Sequence, residues 1–247
     1  MPVRTALPTD EPAMVGVLTK AFFHEDLFGI TIHPHRNQYP EDVRIFWHEK
    51  LRKHWSTPTD RLIVATTTEG GEEKITGVAV WERQGDDEGA RKVKNEWIDI
   101  GPNAFPPLPT THNRALDPTK ATILEDAFPH FASLWAGPRA SNWYLSLCGV
   151  HPSYQKRGFG PPLVHWGLER ARKEGVHASV AASDGNGKFY LRCGFDEVVG
   201  NVTTGEGNPL SGVAGGDVLF MFPGGKEGEG KILRRFNIIS AKGYCGS

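Results

Sequence analysis

The chain has few cysteines, no surplus of charge and no long apolar run, and each shortage removes a class of function. Three cysteines, Cys148, Cys193 and Cys245, are odd in number and far apart, which suits neither a disulfide scaffold nor a zinc site and points to a reducing compartment. Lys plus Arg (28) against Asp plus Glu (29) leave a formal charge of -1. No global basic field therefore exists to hold nucleic acid or an anionic membrane, and any phosphate site has to be local. No stretch approaches the roughly 18 apolar residues of a membrane span. The N-terminal MPVRTALPTDEP lacks the charged-then-apolar order of a secretory signal. The expected location is cytoplasmic, with no membrane and no nucleic-acid partner.

What is present suffices for a sizeable core: 247 residues, 38% of them hydrophobic, with 13 Phe, 7 Trp and 5 Tyr. At roughly 150 residues per domain the length lies between one and two domains, and Gly (29) with Pro (18) predicts a loop-rich chain. Val3 to Ala6 reads as a strand. Pro8 to Pro12 then supplies turn residues before an apolar helical spacing at Met14, Val17, Leu18, Ala21 and Phe22. An irregular loop over Phe23 to Pro40 precedes a second helical spacing from Glu41 to Trp55. Arg61 to Thr66 and Lys74 to Trp81, joined through Gly70-Gly71, read as an antiparallel hairpin.

The stretch from Gln84 to about Lys120 is charged and then Pro-rich, the mark of an insertion or lid. Helical spacing resumes from Ile123 to Trp135. Trp143 to Val150 is the clearest strand, with Trp143, Leu145 and Leu147 alternating against Tyr144, Ser146 and Cys148. A helix then runs to Gly175, a plausible C-terminal stop. Val176 to Ala182 is a strand, Lys188 to Cys193 a short helix, and Phe195 to Val202 and Val218 to Phe222 two further strands. The expected organisation is one domain over 1–222, with an insertion at about 83–130 and a Gly-rich flexible tail over 223–247.

The chemistry-bearing stretch is Val150-His-Pro-Ser-Tyr-Gln155-Lys-Arg-Gly158-Phe-Gly160-Pro-Pro. A strand ends, a basic Gly-containing loop follows and a helix begins, so successive backbone N–H groups and the positive end of the helix converge on one point. That suits a pyrophosphate. Glycine at 158 and 160 allows positive φ and close approach of a ligand, and Lys156 and Arg157 add charge. The plainer reading is an ordinary strand-to-helix turn with exposed basic residues. Two features tip the balance: Tyr190-Leu-Arg-Cys-Gly194-Phe195, a Tyr on a short helix closed by Gly, and Ser183 at the end of the preceding strand.

Together these residues resemble the GNAT family of acyl-CoA-dependent N-acetyltransferases, in which (Val/Ile)-x-Pro-x-x-(Gln/Arg)-x-x-Gly-x-(Gly/Ala) follows the fourth strand. Here it stands as Val150-x-Pro152-x-x-Gln155-x-x-Gly158-x-Gly160. The likeness covers Trp143 to Val202 in motif and Val3 to Glu82 in element order alone. It implies an α/β (α+β) fold with a mixed, mainly antiparallel central sheet, splayed between the fourth and fifth strands and flanked by helices. It also implies acetyl-CoA as co-substrate, with no metal. By this resemblance the strand ending at Cys148 to Val150 would line pantetheine. The amides of Gln155, Lys156, Arg157, Gly158, Phe159 and Gly160 would take the pyrophosphate, and Ser183 would touch the pantetheine arm. Tyr190 would protonate the departing thiolate. Pro161-Pro162 depart from the family pattern by removing two N–H donors.

The implied reaction is attack of a neutral amine on the thioester, with the N–H near Val150 stabilising the oxyanion. For the base the sequence offers His24, Glu25, Asp26, Glu82 and His151. Spacing does not choose among them, and Glu82 and Asp26 are placed first. The expected acceptor is a small-molecule amine held between the loop at Phe23 to Pro40, the Gln84 to Lys120 segment and the loop at Thr203 to Asp217. A protein lysine or N-terminus is the alternative within the class, and a non-catalytic acyl-CoA-binding or sensing module the alternative outside it.

Three further patterns carry less. Gly225 to Lys231 satisfies G-x-x-x-x-G-K but lacks the following Ser/Thr. His48-Glu49 lacks a second His at the right spacing. Cys148 as an acyl-accepting nucleophile has no partner placed by sequence, and a strand Cys is usually a small buried hydrophobe.

Overall fold

The computed structural model describes residues 2–101 and 103–225. Cys245, the G-x-x-x-x-G-K match ending at Lys231 and nearly all of the expected tail lie outside the described residues. The sheet is built from β1 (Val3–Thr5), β2 (Asp60–Glu69), β3 (Glu72–Gln84), β4 (Asn142–Val150), β5 (His177–Ser183), β6 (Glu197–Asn201) and β7 (Gly215–Met221). Their order is β1-β2-β3-β4-β5-β7-β6, and every pair except β4–β5 is antiparallel. The β2–β3 hairpin is longer than its apolar runs suggest.

One face of the sheet is covered by α5 (Gly160–Glu174) and α6 (Gly187–Cys193), through Leu163, Val164, Leu168 and Cys193. On the other face, α1 (Glu11–Ala21) and α2 (Val43–Trp55) bury Met14, Leu18, Trp47 and Leu51 against β2 and β3. Beside them α4 (Ile123–Phe131) packs Ile123, Ala127 and Phe131 against Val218 and Phe220 of β7. Each helix inserts the apolar stripe that its spacing presents, and the seam between the α1/α2 layer and α4 lies over β4 and β5. Among the described residues no helix is long and apolar enough to cross a membrane.

Three departures from the expected pattern shape the middle of the sheet. First, the β3–β4 register steps from Val80–Leu147 to Trp81–Leu145, which leaves Ser146 without a residue opposite. This bulge breaks the simple alternation. Trp143 and Leu145 enter the core under α5, whereas Leu147 enters the core under α1 and α2. Second, Asp26–Thr31, within the segment read as irregular, forms a π-helical turn whose N-cap Glu25 accepts hydrogen bonds from the N–H groups of Leu27 and Phe28. Third, the segment read as an insertion at 83–130 begins on the last residues of β3 and ends inside α4. It contains α3 (Glu88–Asn95) and is tied to α2 by the Trp97 indole donating to Trp55 C=O at 3.0 Å and by Arg114 on Asp42 at 2.7 Å.

Candidate active site

The parallel pairing of β4 with β5 runs only from Asn142–His177 to Leu145–Val180, although the strands continue to Val150 and Ser183. Beyond Leu145 they part and leave a wedge through the sheet. The His151 N–H donates to Thr76 C=O on the β3 side. Strand alternation therefore turns the N–H and C=O of Val150 the other way, into the wedge. Its C=O accepts from the Gln155 side-chain amide at 3.1 Å, and the N–H points into the open side.

The loop that follows has an unusual backbone. Lys156 has φ +59 and Gly158 φ +86, so left-handed residues are interleaved with the rest, the pattern that turns consecutive N–H groups toward one side. Gln155 spends its N–H on Pro152 C=O. The N–H groups of Lys156, Arg157, Gly158, Phe159 and Gly160 make no hydrogen bond among the described residues, and residues 155–158 are exposed. Pro161 and Pro162 fall in the first turn of α5, where no intrahelical N–H bond is lost.

Two details differ from the sequence expectation. Gly160 does not use positive φ; it is small because a Cβ there would lie 3.1 Å from the Phe189 ring of α6. The Phe159 side chain is buried in the core, edge-on to Tyr154 at 5.7 Å, so its ring is not available to a ligand. The Arg157 guanidinium lies over the Tyr154 ring at 4.9 Å, and the Tyr154 hydroxyl donates to Glu69 at 2.9 Å. The loop is thereby anchored to the β2–β3 hairpin.

A cavity of about 120 Å³ occupies the wedge. It is lined by Cys148 and Tyr190 from the α5/α6 side, by Ser183 at the end of β5, and from the other face by Phe22, Glu25 and Leu27 after α1 and by Leu124 of α4. The β6–β7 loop closes it with Thr203, Leu210 and Val213. Two of the three segments expected around the acceptor are thus present. The Gln84–Lys120 segment supplies no lining residue, because its anchors hold it against α2, and α4 takes that place.

Tyr190 is 8% exposed, packed edge-on to Phe189 and Phe195, and its hydroxyl makes no hydrogen bond among the described residues. Burial, reinforced by Cys148, holds its phenol well above the ordinary value, so at neutral pH it keeps its proton. Ser183 Oγ accepts from Asn186 at 3.0 Å. Burial pushes the Cys148 thiol up to about 12; at neutral pH no thiolate is available for an acyl-accepting role.

The carboxylates separate by place. Glu25 lines the wedge, and burial raises its pKa against the pull of the two N–H groups on Oε2. Asp26 begins the π-helical turn beside it but does not line the cavity. Glu82 faces a neighbouring cavity, across the sheet register from Tyr144. His151 borders a third groove with Lys20 and Tyr154, and His24 is exposed. Sequence proximity grouped Glu25 with its neighbours; its role as N-cap of the π-helical turn is what singles it out.

Residues 124–195 match the model of the acetyltransferase (GNAT) family. A curated protein named "Acetyltransferase" from Stachybotrys chartarum is 25% identical over 213 residues, covering 81% of this chain and 82% of that protein. Two solved structures share the fold. One, described as histone acetyltransferase HPA2 and related acetyltransferase from Corynebacterium glutamicum, superposes with a TM-score of 0.56 at 20% identity, over 90% of this chain and 95% of that one. The other, a polyamine N-acetyltransferase of Drosophila melanogaster, gives 0.54 at 14% identity, over 90% and 99%. The motif after β4, the wedge it borders, the family match over residues 124–195 and the shared fold all liken this chain to the acetyltransferases of the GNAT family.

Proposed function

We propose that the protein transfers an acetyl group from acetyl-CoA directly to the primary amine of a small molecule, with both substrates bound at once. The observation that carries this is the wedge itself, which has Tyr190 on the α6 side and Glu25 on the opposite face of the sheet. A thioester reaching in along β4 would meet the Val150 N–H, whose hydrogen bond to the carbonyl oxygen strengthens as negative charge develops. The N–H groups of residues 156–160 that make no hydrogen bond among the described residues, with Lys156 and Arg157, suit the pyrophosphate. The amine arrives past Glu25, which takes its proton, and Tyr190 donates a proton to the departing sulfur. A cavity of about 120 Å³ closed by Leu124 and Leu210 favours a small acceptor over a lysine presented by a protein surface.

Isothermal titration with acetyl-CoA followed by a thiol-release screen over diverse amines tests the proposal. Binding and turnover on at least one amine class are expected. Tight binding without turnover on any amine would point to an acyl-CoA sensor, and no binding would defeat both readings.

Glu25→Gln keeps the size of the side chain and one oxygen for the Leu27 and Phe28 amides while removing the base. We expect kcat/KM to fall about 100-fold. The pH profile carries the sign. Glu25 works only when deprotonated, and its pKa is raised. The wild-type acid limb should therefore lie above the ordinary carboxylate range, with activity falling about tenfold per pH unit beneath it. The limb should vanish in the variant. An unchanged limb in Glu25→Gln would assign it to another group.

A further inference from the structure

A second cavity, of about 480 Å³, lies on the same face of the sheet as Glu25 and shares one wall with the wedge, the Tyr144 ring. Its lining combines four aromatic rings, Phe128, Phe131, Trp135 and Tyr144, with the carboxylate of Glu82. The rings are held in place. The Trp135 indole donates to Ser179 Oγ at 2.9 Å and packs edge-on to Tyr144 at 5.7 Å and against Phe131 at 6.1 Å. Phe128, 52% exposed, stands at the rim.

Glu82 is the unusual member. It has no ion pair among the described residues, and it sits in register beside a second carboxylate, Asp60. Asp60 has its own partner, His54 at 2.6 Å, whereas Glu82 has only the neutral Gln84 side chain. The two cations on the wall do not answer it. Arg83 is fully buried and neutralised by Asp87 at 2.7 Å and Glu174 at 2.8 Å. Lys94 is exposed, where water screens it. Burial and the Asp60 charge both raise the Glu82 pKa. A carboxylate so placed lacks the cation that would offset its desolvation, and the aromatic rings around it are what an organic ammonium favours.

We infer that this cavity is a second acceptor subsite, which holds a further cationic group of the amine substrate between Glu82 and the rings of Phe128, Trp135 and Tyr144. The inference rests on the acetyltransferase reading of the wedge and names its substrate class: amines with a second positive charge at the far end. Four steps along β4 separate Tyr144 from Cys148, which at strand rise is about 13 Å at most, the Ser146 bulge shortening it. The two charges of the substrate would be separated by roughly that span.

The test compares nonylamine with diaminononane, which adds an amine at the other end and whose extended length matches that span, and runs to shorter and longer pairs of the same kind. The wild-type protein should prefer the diamine by about tenfold or more in kcat/KM. Glu82→Gln and, at the rim, Phe128→Ala should each remove most of that preference while acetyl-CoA affinity by titration is kept. Equal use of mono- and diamines by the wild type would overturn the subsite. So would an equal loss on both amines in Glu82→Gln, which would instead make Glu82 a group of the reaction itself. Binding of acetyl-CoA with no turnover of either amine would defeat the reading of the wedge, a result distinct from turnover without preference.

Discussion

Tyr190→Phe is expected to lower kcat by about 100-fold or more while leaving acetyl-CoA affinity and stability close to wild type. Removing a general acid typically costs 10²–10⁴-fold, and this substitution deletes one oxygen and nothing else. The ring lies against Phe189 at 5.1 Å and Phe195 at 5.8 Å, contacts that Phe reproduces. The hydroxyl makes no hydrogen bond among the described residues, so no buried partner is orphaned, and the usual 1–3 kcal/mol cost of an unsatisfied group does not arise. Chemistry and folding are thereby separated in one variant. Steady-state kinetics, titration with acetyl-CoA and a thermal melt read the three quantities. Unchanged kcat would reduce Tyr190 to a packing residue of α6 and remove the proton donor from the proposed mechanism.

How far the sequence discloses this site follows from the range of the interactions that build it. The strand over Asn142–Val150, the loop after it and the closing glycines at 175 and 194, with φ +68 and +108, are local features, and local spacing shows them. The Ser146 bulge is not local: it exists because β3 sets the register on its own side, and alternation along β4 alone points Leu147 to the wrong face. The same holds for the acid residues. Glu25, Asp26 and Glu82 are indistinguishable as letters. They part only when the π-helical turn caps itself on Glu25 and β3 carries Glu82 beside Tyr144. The Gln84–Lys120 segment reads as a lid because it is charged and Pro-rich. Its placement against α2 depends on pairs such as Arg114 with Asp42, 72 positions apart, which no window of sequence contains. Lys156 in the left-handed region is likewise silent, since lysine carries no signal for that conformation.

Gly167→Ala should destabilise the fold and weaken acetyl-CoA binding together, and the size of the effect follows from a competition of two terms. In an isolated helix, alanine in place of glycine gains about 1 kcal/mol. Here α5 lies so close to the sheet that a Cβ on Gly167 would fall 2.2 Å from Cε2, 2.3 Å from Cδ2 and 2.5 Å from Cζ2 of Trp81. Trp81 cannot yield: it is fully buried, and its indole donates to Leu163 C=O of the same helix at 3.0 Å. Relief therefore requires α5 to lift away, which breaks that bond and loosens Leu163, Val164 and Leu168 in the core. Overpacking in a rigid core costs about 1–3 kcal/mol, occasionally more. With three indole atoms in the way the loss should reach about 3 kcal/mol, enough to outweigh the helix term. Because residues 156–160 lead directly into the first turn of α5, the same shift moves the N–H groups offered to the pyrophosphate. Denaturant melts and acetyl-CoA titration on one preparation measure both effects. A variant as stable as wild type would show that α5 can move without cost, and acetyl-CoA affinity unaltered despite lost stability would separate the loop from the helix that carries it.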